Sequence, residues 1–209
     1  MGNIKHSGFI QRLILPGLLM LAALLVAGCD NADVLGPESM NERYEALLVA
    51  TEPPVAANFV PNGVEERTAL GNTENYFRDM EIASIETDTA LVYAPNGVLY
   101  DNFGIIEGAD AIRDYFKHSL TSADALRVEF LQTSRSGVDY YVRWRMTIVA
   151  PALNDGEPMV SYGVSQFRFD NQGRILLHRD FWDAGTGFYE FLPGVKGLLQ
   201  TIRAKLIDH

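Results

Sequence analysis

From Thr68 onward the apolar positions change period twice. Tyr76, Met80 and Ala83, with Phe77 beside them, recur at helical spacing, and residues 87–94 predict a second short helix ended by Pro95-Asn96-Gly97. A short strand over 98–102 follows. Gly108-Ala109-Asp110 then opens a third helix, whose Ile112, Tyr115, Phe116 and Ser119 fall at i, i+3, i+4 and i+7 on one face. Beyond it the period drops to two, and 125–135, 138–150, 158–170 and 173–182 read as strands. Ser136-Gly137, Asn154-Asp155-Gly156 and Asn171-Gln172-Gly173 separate them as turns, which predicts an antiparallel meander. Helices first and strands afterwards define an α+β fold, with N-terminal helices packed on one face of a curved, mostly antiparallel sheet.

The flanks follow other rules. The chain starts with Lys5 and Arg12, runs through 15 uncharged residues from Leu13 to Ala27, and reaches small residues before Cys29. This is the pattern of an export signal, and the run is shorter than the roughly 20 residues a membrane-spanning helix needs. Residues 30–66 are rich in Pro, Asn, Glu and Ala, and Pro53-Pro54 and Pro61-Asn62-Gly63 interrupt any long helix. They predict a spacer, with a short helix over 41–50. At the other end Val195, Leu198, Leu199, Ile202 and Leu206 form a helical stripe, and Lys196, Arg203 and Lys205 give residues 191–207 a charge of +3. Docking on the domain as a lid or dimer contact fits this helix, and so does lying on anionic headgroups. The expected organisation is therefore a signal segment (1–28), an anchor and linker (29–67), a folded domain (68–185) and an amphipathic tail (186–209).

Composition narrows the chemistry. The chain has 209 residues, 47% apolar and 21% charged, enough for one ordinary core. With 27 acidic against 17 basic residues its net charge is −10, which disfavours nucleic acid and acidic substrates. Cys29 is the only cysteine, so neither an intramolecular disulfide nor a thiolate metal cluster can form. His6 lies in the signal and His209 at the terminus, which leaves His118 and His178 without metal-ligand spacing. Gly185-Thr186-Gly187 begins like a dinucleotide loop but lacks the third glycine and the parallel βαβ context. No cofactor is implied.

Val26-Ala27-Gly28-Cys29 resembles the lipobox of bacterial lipoproteins. The resemblance implies cleavage before Cys29, lipid on its sulfur, and a domain held on the membrane in the cell envelope, outside the cytoplasm. Several buried acyl chains suffice for stable anchoring. In a Gram-negative host Asp30 resembles the signal for retention at the periplasmic face of the inner membrane.

The segments Tyr93-Ala94-Pro95-Asn96-Gly97-Val98-Leu99-Tyr100-Asp101-Asn102, Gly108-Ala109-Asp110-Ala111-Ile112-Arg113-Asp114-Tyr115-Phe116 and Phe167-Arg168-Phe169-Asp170-Asn171-Gln172-Gly173-Arg174-Ile175 resemble the nuclear transport factor 2-like superfamily. That superfamily includes SnoaL-like cyclases, ketosteroid isomerase and limonene epoxide hydrolase. The resemblance implies a conical half-barrel closing over a pocket for a small, largely apolar molecule, and pairing as homodimers through the outer sheet face. Counting without gaps sets Asp101 on the isomerase general base, Ser165 on the family's protonated Asp, and Tyr76 near its helix-one tyrosine. His178-Arg179-Asp180-Phe181-Trp182-Asp183 resembles the epoxide hydrolase step that carries a water-activating Asp, a role that falls to Asp180. Arg143 matches that family's arginine, with Arg145 where the partner acid belongs. Tyr100-Asp101-Asn102 resembles its water-holding step.

Strand parity separates these candidates. His178, Asp180 and Trp182 share one face by the period of two. Asp101 pointing inward turns Tyr100 and Asn102 out, and a shift of one residue reverses both. Burial of Val142, Trp144, Met146 and Ile148 turns Arg143 outward. The candidate catalytic residues are Asp101, Asp180, His178 and Tyr76, and the candidate pocket lining is Trp182, Tyr115, Phe116, Ser165, Tyr100, Asn102 and Arg143. An apolar site raises a carboxylate's pKa toward the range useful for moving protons. These residues suit an acid-base isomerase, cyclase or epoxide hydrolase, and equally a non-catalytic domain that only binds a ligand or a protein.

Overall fold

The computed structural model describes residues 37–53 and 59–207. The signal segment, Cys29 and Asp30 lie outside them. The elements are α1 (Pro37–Ala50), α2 (Val64–Arg78), α3 (Ile82–Val92), β1 (Tyr93–Tyr100), β2 (Ile105–Glu107), α4 (Ala109–Thr121), β3 (Ala125–Ser136), β4 (Asp139–Val149), β5 (Met159–Phe169), β6 (Ile175–Trp182), the short α5 (Ala184–Gly187) and α6 (Val195–Ile207). No helix among the described residues is long and apolar enough to cross a membrane.

β3 to β6 form the expected meander, and β6 then pairs in parallel with β1, giving the open order β2-β1-β6-β5-β4-β3. This central placement of β6 sets the interior. Its neighbours bring Phe167 opposite His178, Ser165 opposite Asp180 and Gly163 opposite Trp182. On the other side Tyr100 pairs with Arg179, so the next residue of each strand, Asp101 and Asp180, come side by side.

The concave face is covered by α2, α3 and α4. They bury Ala69, Thr73, Tyr76 and Phe77, then Ile85, Thr89 and Val92, then Ile112 and Leu120. Their rings meet edge-on, Tyr76 on its neighbour Phe77 at 5.0 Å and Phe77 on Phe116 of α4 at 5.8 Å, and Phe77 reaches the sheet at His178 (5.3 Å). Each such pair adds about 0.5–1.5 kcal/mol beyond its buried area.

Two expectations change. The second helix ends at Val92 rather than Ala94, because Tyr93 is already extended while its N–H still bonds the Thr89 carbonyl. Pro95-Asn96-Gly97 therefore lies inside β1, at an irregularity in its pairing with β6 between Tyr93 and Val98. Proline is tolerated at such a bulge, and a Cβ on Gly97 would come within 2.7 Å of the Ile175 carbonyl.

The second change concerns the expected spacer, since from Pro37 on it is helical and docked on the convex face. Leu47 packs with Val98, Tyr100 and Leu177, with Met40, Tyr44 and Leu48 around them. Tyr44 Oη donates to Gln166 Oε1 (2.5 Å), and Gln166 Nε2 donates to Asp139 (2.6 Å). Buried Arg168 bonds both Asp139 (2.6 Å) and the Leu48 carbonyl, while the Arg179 guanidinium lies 3.7 Å over the Tyr100 ring. The outer face stays open over β4 and β5, where Tyr141, Val160 and Tyr162 are exposed.

Glu66, buried on α2, ties the helix layer to the β3–β4 hairpin. It accepts from the Asn62 N–H (2.5 Å), Tyr140 Oη (2.9 Å) and Arg135 Nη1 (2.8 Å). Burial raises its pKa, but the bonds from Asn62, Tyr140 and Arg135 outweigh it, so the carboxyl lies below its ordinary 4.5. Its ionised form therefore stabilises the fold above that value, and the contribution is lost as pH falls through the lower folded value. Glu66→Ala is expected to cost about 3 kcal/mol at neutral pH. Urea unfolding at neutral and acid pH checks this, with a smaller loss on acidification in the variant.

Candidate functional site

Two carboxylates meet at the end of β1 and β6. Asp101 closes the turn between β1 and β2: its Oδ1 accepts from the amides of Phe103 (2.7 Å) and Gly104 (3.0 Å), and its own N–H bonds the Gly104 carbonyl (3.1 Å). Tyr115 of α4 donates its hydroxyl to Oδ2. A carboxylate offers about four lone-pair sites, so one on Oδ2 is left over. Burial pushes the Asp101 pKa up; the bonds from Tyr115 and Phe103 counter it, the charge of Asp180 adds to it, and the net shift is upward.

Asp180 is shifted the other way. Burial again raises it, but His178, the hydroxyl of Ser165 and the charge of Arg179 lower it below the ordinary value. His178 Nε2 lies 2.9 Å from Asp180 Oδ1 and 3.3 Å from Ser165 Oγ, and its Nδ1 lies 2.7 Å from Tyr93 Oη. Trp144 Nε1 donates to Ser165 Oγ (2.8 Å), and the Ser165 hydroxyl donates to Asp180. With the proton on Nε2, the tautomer Asp180 favours, the bonds run from Tyr93 through His178 to Asp180 and, from the opposite side, from Trp144 through Ser165 to Asp180. No buried side-chain nitrogen or oxygen among the described residues lacks a partner.

Aromatic residues close this end of the interior. Trp182 packs at 6.4 Å from Trp144 and 6.0 Å from Phe103, and Phe103 meets Phe188 at 5.4 Å and Tyr189 at 6.3 Å. Gly163 makes room for both tryptophans, since a Cβ there would overlap the Trp144 ring and lie 2.8 Å from Trp182 Cβ. Asn102 Nδ2 donates to the Trp182 carbonyl (2.7 Å) and fixes the end of β6.

The candidates thus divide. Asp101, Asp180, His178, Ser165 and Tyr115 form one cluster, with Trp182 at its edge. Tyr76 stands apart, its hydroxyl 2.7 Å from Thr89 Oγ1 and its pKa pushed up to about 12 by burial. Phe116 is packed against Phe77 and Tyr93 rather than facing open space. Tyr100 lies on the opposite face beneath α1, where its hydroxyl donates to the Met40 carbonyl (3.1 Å). Arg143 is exposed between the buried Val142 and Trp144. Both follow from strand parity once Asp101, Val142 and Trp144 face inward. Tyr93 and Trp144, which complete the network, were not among the candidates. A buried-face tryptophan on β4 was legible, but its partner depends on the β4–β5 register.

Side chains of the helices and of the sheet pack together across the interior of the described residues. Two surface grooves, about 440 Å³ beside α2 and β3 (Arg67, Leu70, Phe130) and about 280 Å³ beside α1 and β1 (Arg43, Leu47, Glu107), have neither carboxylate in their walls. No group of three or more His, Cys, Asp or Glu among the described residues could hold a metal ion.

A cone of helices on a bent sheet with polar groups gathered at one end of its interior is the architecture of the nuclear transport factor 2-like superfamily, and solved structures agree. A nuclear transport factor 2-like protein of unknown function from Burkholderia pseudomallei K96243 is similar over 63% of this chain and 100% of its own, at 16% identity and a TM-score of 0.53. TerC, co-crystallised with polyporic acid, is similar over 61% and 98% at 16% identity and a TM-score of 0.51. A protein of ketosteroid isomerase-like fold from Catenulispora acidiphila DSM 44928, in complex with trimethylamine, covers 59% and 91% at 10% identity and a TM-score of 0.51. A family model described as a SnoaL-like domain matches residues 77–178, about half of the chain. Comparison with curated proteins gives no match.

The chain's two tryptophans, Trp144 and Trp182, both border the cluster, so their spectra report on it alone. Gly163→Ala is expected to cost about 1–3 kcal/mol and to change the near-ultraviolet circular dichroism. Asp101→Asn keeps an oxygen for the Phe103 and Gly104 amides and an NH2 group for the Tyr115 hydroxyl. Because the folded pKa of Asp101 is raised, its contribution to stability is lost as pH rises from 3.8 through the folded value. At neutral pH this variant should therefore unfold at the same or a higher urea concentration than the parent.

Proposed function

We propose that the interior of this domain is an acid-base site for a small, largely apolar molecule. The observation that carries the reading is the placement of two carboxylates side by side at the ends of β1 and β6, in surroundings that push Asp101 upward and Asp180 downward. Carboxyls tuned apart divide the work of proton carrier and fixed charge. Asp101 exchanges the proton through the free lone pair on Oδ2. Asp180, kept ionised by His178 and Ser165, stabilises positive charge or orients a water, and Tyr93 and Trp144 hold those two partners in place. The aromatic interior excludes bulk water, and the molecule reaches the carboxylates by displacing Phe103 and Trp182. Isomerisation or cyclisation by proton transfer at carbon, and hydration of an epoxide, all use such a pair.

A second reading has its own support: every buried side-chain nitrogen and oxygen among the described residues has at least one partner, and neither surface groove reaches the carboxylates. On that reading the domain binds a ligand or protein without turning it over. Both readings include anchoring in the cell envelope through lipid on Cys29, which the sequence from Leu13 to Cys29 supports. Incorporation of labelled palmitate into the parent but not into Cys29→Ser is the expected result.

A panel of enolisable ketones and epoxides tests the chemistry. Under the enzyme reading kcat/KM rises with pH through a value above 3.8 as Asp101 ionises. Asp101→Asn then lowers it by about 10²–10⁴-fold without loss of folding. Tryptophan quenching by a compound that is bound and never consumed leaves the binding reading alone.

A further inference from the structure

The last helix holds an apolar surface that the domain does not use. None of its residues is buried, and Leu198, Ile202 and Leu206 are 60%, 46% and 69% exposed. Spaced four apart, they form one ridge along a 13-residue helix. Val195, Leu199 and Arg203 are half-buried on the side toward the preceding turn, where Arg203 pairs with Glu190. At 100° per residue Lys205 borders the ridge, and Lys196 lies about 120° from its midline, past Leu199 and Arg203; both lysines are exposed.

Charge selects the occupant. Residues 191–207 contain Lys196, Arg203 and Lys205 and no acid, in a chain whose net charge is −10. The basic segment thus stands against the trend of the whole molecule. An apolar ridge accompanied by lysines on long flexible stems suits the boundary between acyl chains and headgroups, where the ridge sinks in and the ammonium groups reach back to phosphate. Anionic lipid complements the cations, and it repels the acidic body, so the contact is limited to the helix.

We propose that α6 is a membrane-contact helix that lies in the surface of an anionic lipid bilayer, with Leu198, Ile202 and Leu206 inserted and Lys196 and Lys205 at the phosphates. The contact is independent of the chemistry at Asp101 and needs no lipid on Cys29. It gives the domain a fixed orientation on the membrane instead of free rotation about a single attachment.

The test uses the full chain carrying Cys29→Ser and Ile202→Cys, with an environment-sensitive fluorophore on the new thiol. Vesicles of phosphatidylcholine with phosphatidylglycerol are compared with phosphatidylcholine alone. The expected result is a blue shift with the anionic vesicles, reversed by high salt, and none from the same label at Tyr162→Cys on the outer sheet face. Lys196→Gln with Lys205→Gln should weaken the response to anionic vesicles by about 30-fold, equivalent to about 1 kcal/mol for each lysine. A label silent toward every vesicle overturns the proposal. So does a shift without vesicles that grows with protein concentration, which would assign the ridge to a second copy of the chain.

Discussion

A largely buried carboxylate is tolerated only when its lone pairs are met by donors, and Asp180 imposes that condition on three strands at once. His178 must stand two residues before it, Ser165 directly opposite on β5, and Trp144 one strand further with its indole turned back to Ser165. Shifting any of these strands by one residue would exchange the faces and leave the charge unpaired. Gly163 belongs to the same requirement, because the tryptophan that serves Ser165 passes where another residue's Cβ would sit.

The second carboxylate is held differently. Asp101 is fixed by backbone amides of its own turn and by Tyr115, groups that brace the junction of β1, β2 and α4. One residue thereby closes a turn and stands beside the second carboxylate, Asp180. The same bonds brace the turn and set the proton affinity of the carboxyl, so the two cannot be tuned there independently.

Much of this was legible in the sequence. The order of helices and strands followed from the change of period, and the shared face of His178, Asp180 and Trp182 from alternation alone. Less legible were features set by pairing and volume. Pro95-Asn96-Gly97 reads as a helix stop, yet it sits in a bulge of β1, and the three-residue β2 carries too few positions to show a period. Tyr76 and Tyr93 are both plausible partners for the cluster by residue type. Only the packing of α2 on α3 gives Tyr76 to Thr89 and leaves Tyr93 for His178. The docking of α1 was hidden by the prolines that follow it, because its partners Gln166, Arg168 and Arg179 alternate with core residues more than a hundred positions away. That rings from α2 and α4 meet one another and His178 over the sheet could not be read from any one segment.

The open order of the sheet leaves two rims, and they are guarded in different ways. One rim is β2, too short to template another chain. The other is the 12-residue β3, which breaks its ladder between Phe130 and Gln132 and carries Arg127, Glu129 and Arg135. Those charges are tied to Asp79, Arg145 and Glu66, so a foreign strand approaching β3 meets committed ions and a kinked backbone. Copies of the chain that collide edge to edge therefore find no open ladder to extend, and such encounters do not grow into fibrils.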